Sequence, residues 1–296
     1  MKIIMFNLIL LLSIFLSKEK YLTQLNRDSE VKLTIKGKCS QYFIQAYPTH
    51  PDYFRTTHEK IYINGQEEIT FFYHTFTEEV NEVRVIFKND IISTGFMFHN
   101  LNNITRIDLS QFDSSKVTYM VGMFNGCTSL TSIDLTNFDI SSSGELRLMF
   151  SNCSSLISVN LESFDTKSIT NMAFMFFNCS SLISVNLESF DTKKVEIMEQ
   201  MFYGCTGLAS LNLQSFDTRA VTNMYQMFYN CINLVSLDLG HFHTPSLKKM
   251  VQMFYGCNSL VYLNLENFNT SSISTMNALF NQCYSLTELK INNFKT

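Results

Sequence analysis

Seven of the eight cysteines stand at 127, 153, 179, 205, 231, 257 and 283, a spacing of 26 kept without a slip. Thiols at such a spacing could cross-link, ligate a metal or serve as small buried hydrophobes. Cross-linking is disfavoured because equivalent positions on stacked turns point the same way, and an odd number cannot all pair among themselves. A thiolate metal site wants CxxC pairs or nearby histidines, and the sequence offers neither. His241 and His243 flank Phe242 but have no third ligand in sequence. The spacing therefore predicts free, buried thiols, with Cys39 outside the series. No G-x-S-x-G, phosphate-binding glycine loop or H-E-x-x-H occurs, and catalysis needs one asymmetric constellation where a repeated column makes a surface. No catalytic residue, cofactor or metal ligand is assigned on this reading.

The elements that position the thiols repeat with them. Phe recurs at 124, 150, 176, 202, 228, 254 and 280, and Leu at 130, 156, 182, 208, 234, 260 and 286. A second Phe column runs from 112 to 294, and residues 152–167 recur letter for letter at 178–193. A fixed period of this size predicts a solenoid, in which each unit buries its apolar face only against its neighbours. Within a unit, Ile169, Met172, Met175, Phe176 and Cys179 are spaced by three and four, which predicts an amphipathic helix. Leu182, Val185, Leu187 and Phe190 follow, their centre alternating with the period of a short strand. A Thr column (Thr166, Thr192, Thr218, Thr244) fits helix N-caps, with Pro245 at a first helical position. The expected fold is thus an α/β solenoid of about seven to eight 26-residue strand-turn-helix units over 96–296. Helices are wider than strands, so the sheet should lie on a concave face.

Residues 18–95 lack the period and are expected to form a β-rich N-terminal cap, with strands near 31–38, 60–66 and 82–89 and a tight turn at Asn64-Gly65. The leading residues, Lys2 and then an apolar run from Ile3 to Leu16, read as a secretory signal peptide over 1–17. No later run is long and apolar enough for a membrane span, so the expectation is a mature chain without a transmembrane helix, secreted or at the cell surface. A net charge of −4 without any Lys/Arg-rich run argues against nucleic-acid binding.

The string from Met175 to Thr192, M-F-x-x-C-x-x-L-x-x-L-x-L-x-x-F-D-T, resembles the repeat of BspA-like leucine-rich-repeat surface proteins. The resemblance runs from about Met97 to the C-terminus and implies a leucine-rich-repeat solenoid with an adhesion or partner-binding role and no catalytic site. The expected function is a non-catalytic adhesion module that binds an extracellular protein or glycan on the concave strand face. The residues expected there are Asp134, Asn160, Asn186, Asn212, Asp238 and Asn264 in one column, Glu162, Glu188 and Glu266 in another, and Tyr262 as an aromatic anchor. A structural coat protein that assembles through the solenoid ends is the alternative, with self-association through the C-terminal end. An inhibitor wrapping a secreted enzyme is a third reading. Sequons at Asn103, Asn152, Asn178 and Asn269 are compatible with glycosylation in a eukaryotic host, the middle two less so because each precedes a buried Cys.

Overall fold

The alternating apolar residues of the N-terminal region form the strands that the sequence predicts. The computed structural model describes residues 29–44, 58–68, 72–87 and 90–294; the signal-peptide reading of 1–17 lies outside them. Strand β1 (Ser29–Lys36) points Val31, Leu33 and Ile35 inward, and a short β2 (Cys39–Tyr42) pairs antiparallel with β5 (Tyr73–Phe76). β3 (His58–Ile63) and β4 (Gln66–Glu68) form a hairpin whose two turn residues, Asn64 and Gly65, have φ of 48° and 81°. Both values are positive, as a twist-matched two-residue turn requires. With β6 (Val80–Phe87) and β7 (Ile104–Asp108), strands β1, β3 and β4 build a five-stranded sheet in the order β4-β3-β6-β1-β7, separate from the β2-β5 pair. Its last member, β7, belongs to the first repeat and pairs antiparallel with β1. The N-terminal sheet is thereby hydrogen-bonded to the first turn of the repeat array.

The repeats stack 26 residues per turn, but the expected helices are absent. Among the described residues there is no helix. The α/β assignment, with its strand-turn-helix unit, is corrected to a helix-free stack of short strands and tight turns. On one side, β8 (Ser132–Asp134) pairs in parallel with β9 (Ser158–Asn160), and β10 (Ser236–Asp238), β11 (Tyr262–Asn264) and β12 (Glu288–Lys290) form a parallel three-stranded sheet, always with partners 26 residues apart. On the other side, the Met-Phe segments that carry the three-and-four spacing run a second ladder. Phe150 N–H donates to the Met175 carbonyl at 2.9 Å, Phe176 to Met201 at 2.9 Å, Phe202 to Met227 at 2.9 Å and Phe228 to Met253 at 2.9 Å.

The backbone explains why the apolar spacing did not become a helix. Along each Met-Phe segment every second N–H leaves its own turn for the next one, as Leu148, Phe150 and Asn152 do toward Ala173, Met175 and Phe177. The N–H groups between them close four-residue turns, Met149 to Leu146 and Ser151 to Leu148. An α-helix would direct all of these donors back along its own axis. The alternation forces positive φ on Leu148 (62°), Phe174 (60°), Gln200 (52°), Gln226 (52°) and Gln252 (54°). Such a conformation costs a non-glycine residue about 1–2 kcal/mol, and the bonds between turns offset it. With backbone hydrogen bonds linking turns on both sides, the stack has strand spacing on both, so the helix-driven reason for a concave sheet disappears.

The core between the two ladders is built of single-residue columns. Phe98, Phe124, Phe150, Phe176, Phe202, Phe228, Phe254 and Phe280 stack ring on ring, 5.4–5.9 Å between centroids and within 14° of parallel. Phe98 is in the column even though its unit has Leu101 in place of Cys, so the first unit is a true turn. The Thr column does not cap helices. It bridges turns: the buried Thr192 Oγ1 donates to the Asp217 carbonyl at 2.9 Å and accepts from the Asp217 N–H at 2.8 Å. Thr166 does the same with Asp191 at 3.0 and 2.8 Å. Ile140 occupies this column one unit earlier and cannot make the bridge. Replacing Thr192 by Val strands both backbone groups of Asp217, so T192V should lower stability by about 1–3 kcal/mol in urea unfolding, and an unchanged midpoint would contradict the bridge.

Candidate functional site

The seven thiols are structural. All eight cysteines are free. Each repeat Cys Sγ–H donates to the carbonyl of the Met-Phe phenylalanine one turn earlier, from Cys127 on Phe98 to Cys283 on Phe254, at 3.0–3.2 Å. The same carbonyl accepts the N–H of its own unit's Cys, as Phe150 does from Cys153 at 3.1 Å and from the Cys179 thiol at 3.0 Å. Burial pushes the Cys153 and Cys205 thiols up to about 12, and the half-exposed Cys283 up to about 11. These are the reverse of the conditions that make a reactive thiolate. His241 Nε2–H donates to the Leu213 carbonyl at 2.8 Å, and His243 Nδ1 lies 2.9 Å from the His241 carbonyl. Among the described residues no three His, Cys, Asp or Glu side chains form a group that could hold a metal ion.

The strand face brings the predicted surface residues together in rows, but much of their polarity is used within the stack. Asp134, Asn160, Asn186, Asn212, Asp238 and Asn264 each accept at Oδ1 from the N–H two residues on, at 2.9–3.1 Å. These contacts turn the chain out of each strand segment. The amide nitrogens then reach back one turn, Asn160 to Thr136 Oγ1 at 3.1 Å, Asn186 to Glu162 at 3.4 Å and Asn212 to Glu188 at 3.1 Å. Asn264 is only 6% exposed and packs over Gly240, where a Cβ would collide with its amide. It is therefore removed from the accessible surface. Tyr262 is half-buried and has Lys290 Nζ 5.5 Å from its ring centroid, so one of its faces is covered by a cation–π contact from the next turn.

Two exposed rows were not among the predicted site residues. Ile157, Ile183, Val235 and Val261 are 48%, 55%, 50% and 38% exposed, an apolar row beside the strand segments. Their Ile/Val identity suggests core, but the inward places of the unit are already held by Leu182, Val185 and Leu187. The second row lies on the Met-Phe side: the half-buried Phe177, Tyr203, Tyr229 and Tyr255 stack at 4.6–4.7 Å between centroids, beside a hydrogen-bonded ladder of Gln200, Gln226 and Gln252 amides. Both rows are legible as positions 26 apart. The sequons at 152 and 178 sit in another amide ladder, Asn178 Nδ2 donating to Asn152 Oδ1 at 3.3 Å.

A groove of about 510 Å³ opens at the N-terminal end of the strand face, lined by Arg106, Asp108, Thr131, Ser132, Asp134 and Thr136 among others. It exists because β7 pairs with β1, while β8 pairs with β9, so β7 and β8 are neighbours that share no ladder. A backbone hydrogen bond from Ser110 and further bonding to its side chain hold Asp108 below the usual carboxylate range, and bonds from the Thr136 hydroxyl and N–H do so for Asp134.

The chain matches the model of a family described as "Mycoplasma protein of unknown function, DUF285" in three overlapping segments, 70–184, 146–262 and 180–294. These segments together cover well over half of the chain, and the chain belongs to that family. It is a repeat family, and the overlapping matches follow the stacked turns seen here. A search of curated proteins found no match. No helix among the described residues is long and apolar enough to cross a membrane.

The thiols give the array a pH dependence whose sign is fixed. A thiol raised from its ordinary value of 9.0 to about 12 in the folded chain contributes its full stability below pH 9 and loses it as pH climbs toward 12. In that window unfolding releases a proton per buried thiol, and stability falls by about 1.4 kcal/mol per pH unit for each. Cys205→Ala should be less stable than the natural chain at pH 8, and the gap should narrow steadily above pH 9. A gap that stays constant to pH 11 would contradict the buried neutral thiol.

Proposed function

We propose that the protein is a non-catalytic binding module that engages an extracellular partner, protein or glycan, through the strand face of its repeat stack. The observation that carries this reading is the exposed row Ile157, Ile183, Val235 and Val261. Its members lie in one column across turns about 4.8 Å apart, next to the Ser, Asn/Asp and Glu rows. Apolar surface gathered into such a patch marks an interaction site more often than scattered exposed residues do. The resemblance of the M-F-x-x-C units to BspA-like surface proteins supports an adhesion role, and the apolar leader supports secretion or display at the cell surface. Repetition supports a surface over an active site, since each side chain in a row has its equivalent one turn away.

The strand-face reading is tested by affinity capture from extracellular material with the natural chain, with Ile183→Asp/Val235→Asp, and with Lys248→Asp beside the Met-Phe ladder as control. Loss of the captured partner by the double variant alone is the expected result. Equal capture by all three would remove the strand face as the site.

A further inference from the structure

The strand face carries charge of one sign. From Thr131 to Glu266 the six-residue strand segments contain Asp134, Glu162, Glu188, Asp238 and Glu266 and no Lys or Arg. None of these five carboxylates is within ion-pair distance of a cation among the described residues. The acidic row on the next edge of the stack is treated differently: Asp165, Asp191 and Asp217 each have a cation two residues on, Lys167, Lys193 and Arg219. The chain thus neutralises one acidic row within itself and leaves the other open. Among the described residues, cations stand at the two ends of the strand face, Arg106 and Lys32 near Asp108 and Lys290 over Tyr262.

The open row has an apolar neighbour. Ile157, Ile183 and Val261 each lie five positions before a Glu, Glu162, Glu188 and Glu266, a separation of about 16 Å along an extended chain, whereas Val235 lies three positions before Asp238 and has Gly240 in the Glu column. Like charges stacked one turn apart repel, and a cationic partner relieves that repulsion in several turns at once. Asn186 and Asn212 fix Glu162 and Glu188 by hydrogen bonds, so these carboxylates are held in place before a partner arrives.

Resting on the strand-face reading, we propose that this face takes an extended protein segment with Lys or Arg clustered at one end and apolar side chains about five residues away, the cations meeting the open carboxylates and the apolar residues meeting Ile157, Ile183, Val235 and Val261. Such a segment of eight residues spans about 26 Å and crosses both rows. The groove between β7 and β8 continues the acidic surface at Asp134.

The test uses two synthetic eight-residue peptides, each with three Val at one end and two Ser between, and with three Lys at the other end in one peptide and three Glu in the second, titrated against the full chain by calorimetry at low and physiological salt. The Lys peptide should bind, the Glu peptide should not, and affinity should fall with salt. Glu162→Gln/Glu188→Gln/Glu266→Gln should weaken the Lys peptide about tenfold. Asp165→Asn/Asp191→Asn/Asp217→Asn, which changes net charge equally but on the paired row, should leave it unchanged. Equal weakening by both triple variants means general charge attraction and overturns the proposal, as does the absence of any binding. Equal binding of the two peptides that Ile183→Asp/Val235→Asp still abolishes overturns the charge preference while the strand-face reading stands. Equal binding that ignores those substitutions as well removes both.

Discussion

The structure depends on the Phe N–H that leaves its own turn to bind the Met carbonyl of the next. That bond recurs from Phe98 to Phe228 at 2.9–3.0 Å, and Phe254 makes it to Leu279, which stands in the Met column, at 3.1 Å. Around it are organised the ring stack, because successive Phe side chains must superimpose, and the thiol row, because the Phe carbonyl is left with room for a second donor. Cys fills that place as a side chain small enough to be buried whole and polar enough to donate. The repeat of 26 is the length of chain needed to return to this bond in register.

The strand side is subordinate to that ladder. Residues 158–160 and 184–186 are both Ser-Val-Asn within the same duplicated sixteen residues, yet only the first is a strand. The bonds along this side lengthen from 2.8 Å between Ile157 and Thr131 to 3.3 Å between Ala209 and Ile183, and to 3.5 Å between Val235 and Ala209. Strand identity here is a property of pairs of turns, and identical sequence gives different states when the neighbouring turn shifts by a few tenths of an ångström. A side that tolerates such variation can change its outward residues while the Met-Phe ladder holds the fold, which suits it to carry the recognition rows.

Much of this was legible in the sequence. The period gave the stacking, the invariant Phe, Leu and Cys columns gave the core, and the alternating segments with Asn64-Gly65 gave the N-terminal strands and their hairpin. The Met-Phe segment reads as helix because Ile169, Met172, Met175, Phe176 and Cys179 have helical spacing, and consecutive four-residue turns bury the same positions. The signal against a helix lay one residue before each repeat Cys except Cys283, which follows Gln282. Gly126, Asn152, Asn178, Gly204, Asn230 and Gly256 are all Gly or Asn, and all have positive φ between 54° and 79°. A column restricted to the two residue types that best tolerate the left-handed region does not belong inside a helix. Within the site, the Glu row and most of the Asn/Asp row were placed on the surface, whereas the burial of Asn264 and the exposure of Ile183 follow from how adjacent turns pack and have no signature within one unit.

For recognition, the account joins a rigid ladder to a face whose apolar row is exposed and whose carboxylates lack internal cations. The N-terminal sheet closes one end of the stack through β1 and β7 and, in doing so, opens the groove beside β8. The central claim remains the helix-free ladder, and far-UV circular dichroism of the purified chain tests it most directly. A spectrum of strands and turns without the paired helical minima is the result predicted here, and strong helical minima, as a strand-turn-helix unit in every repeat would give, would contradict it.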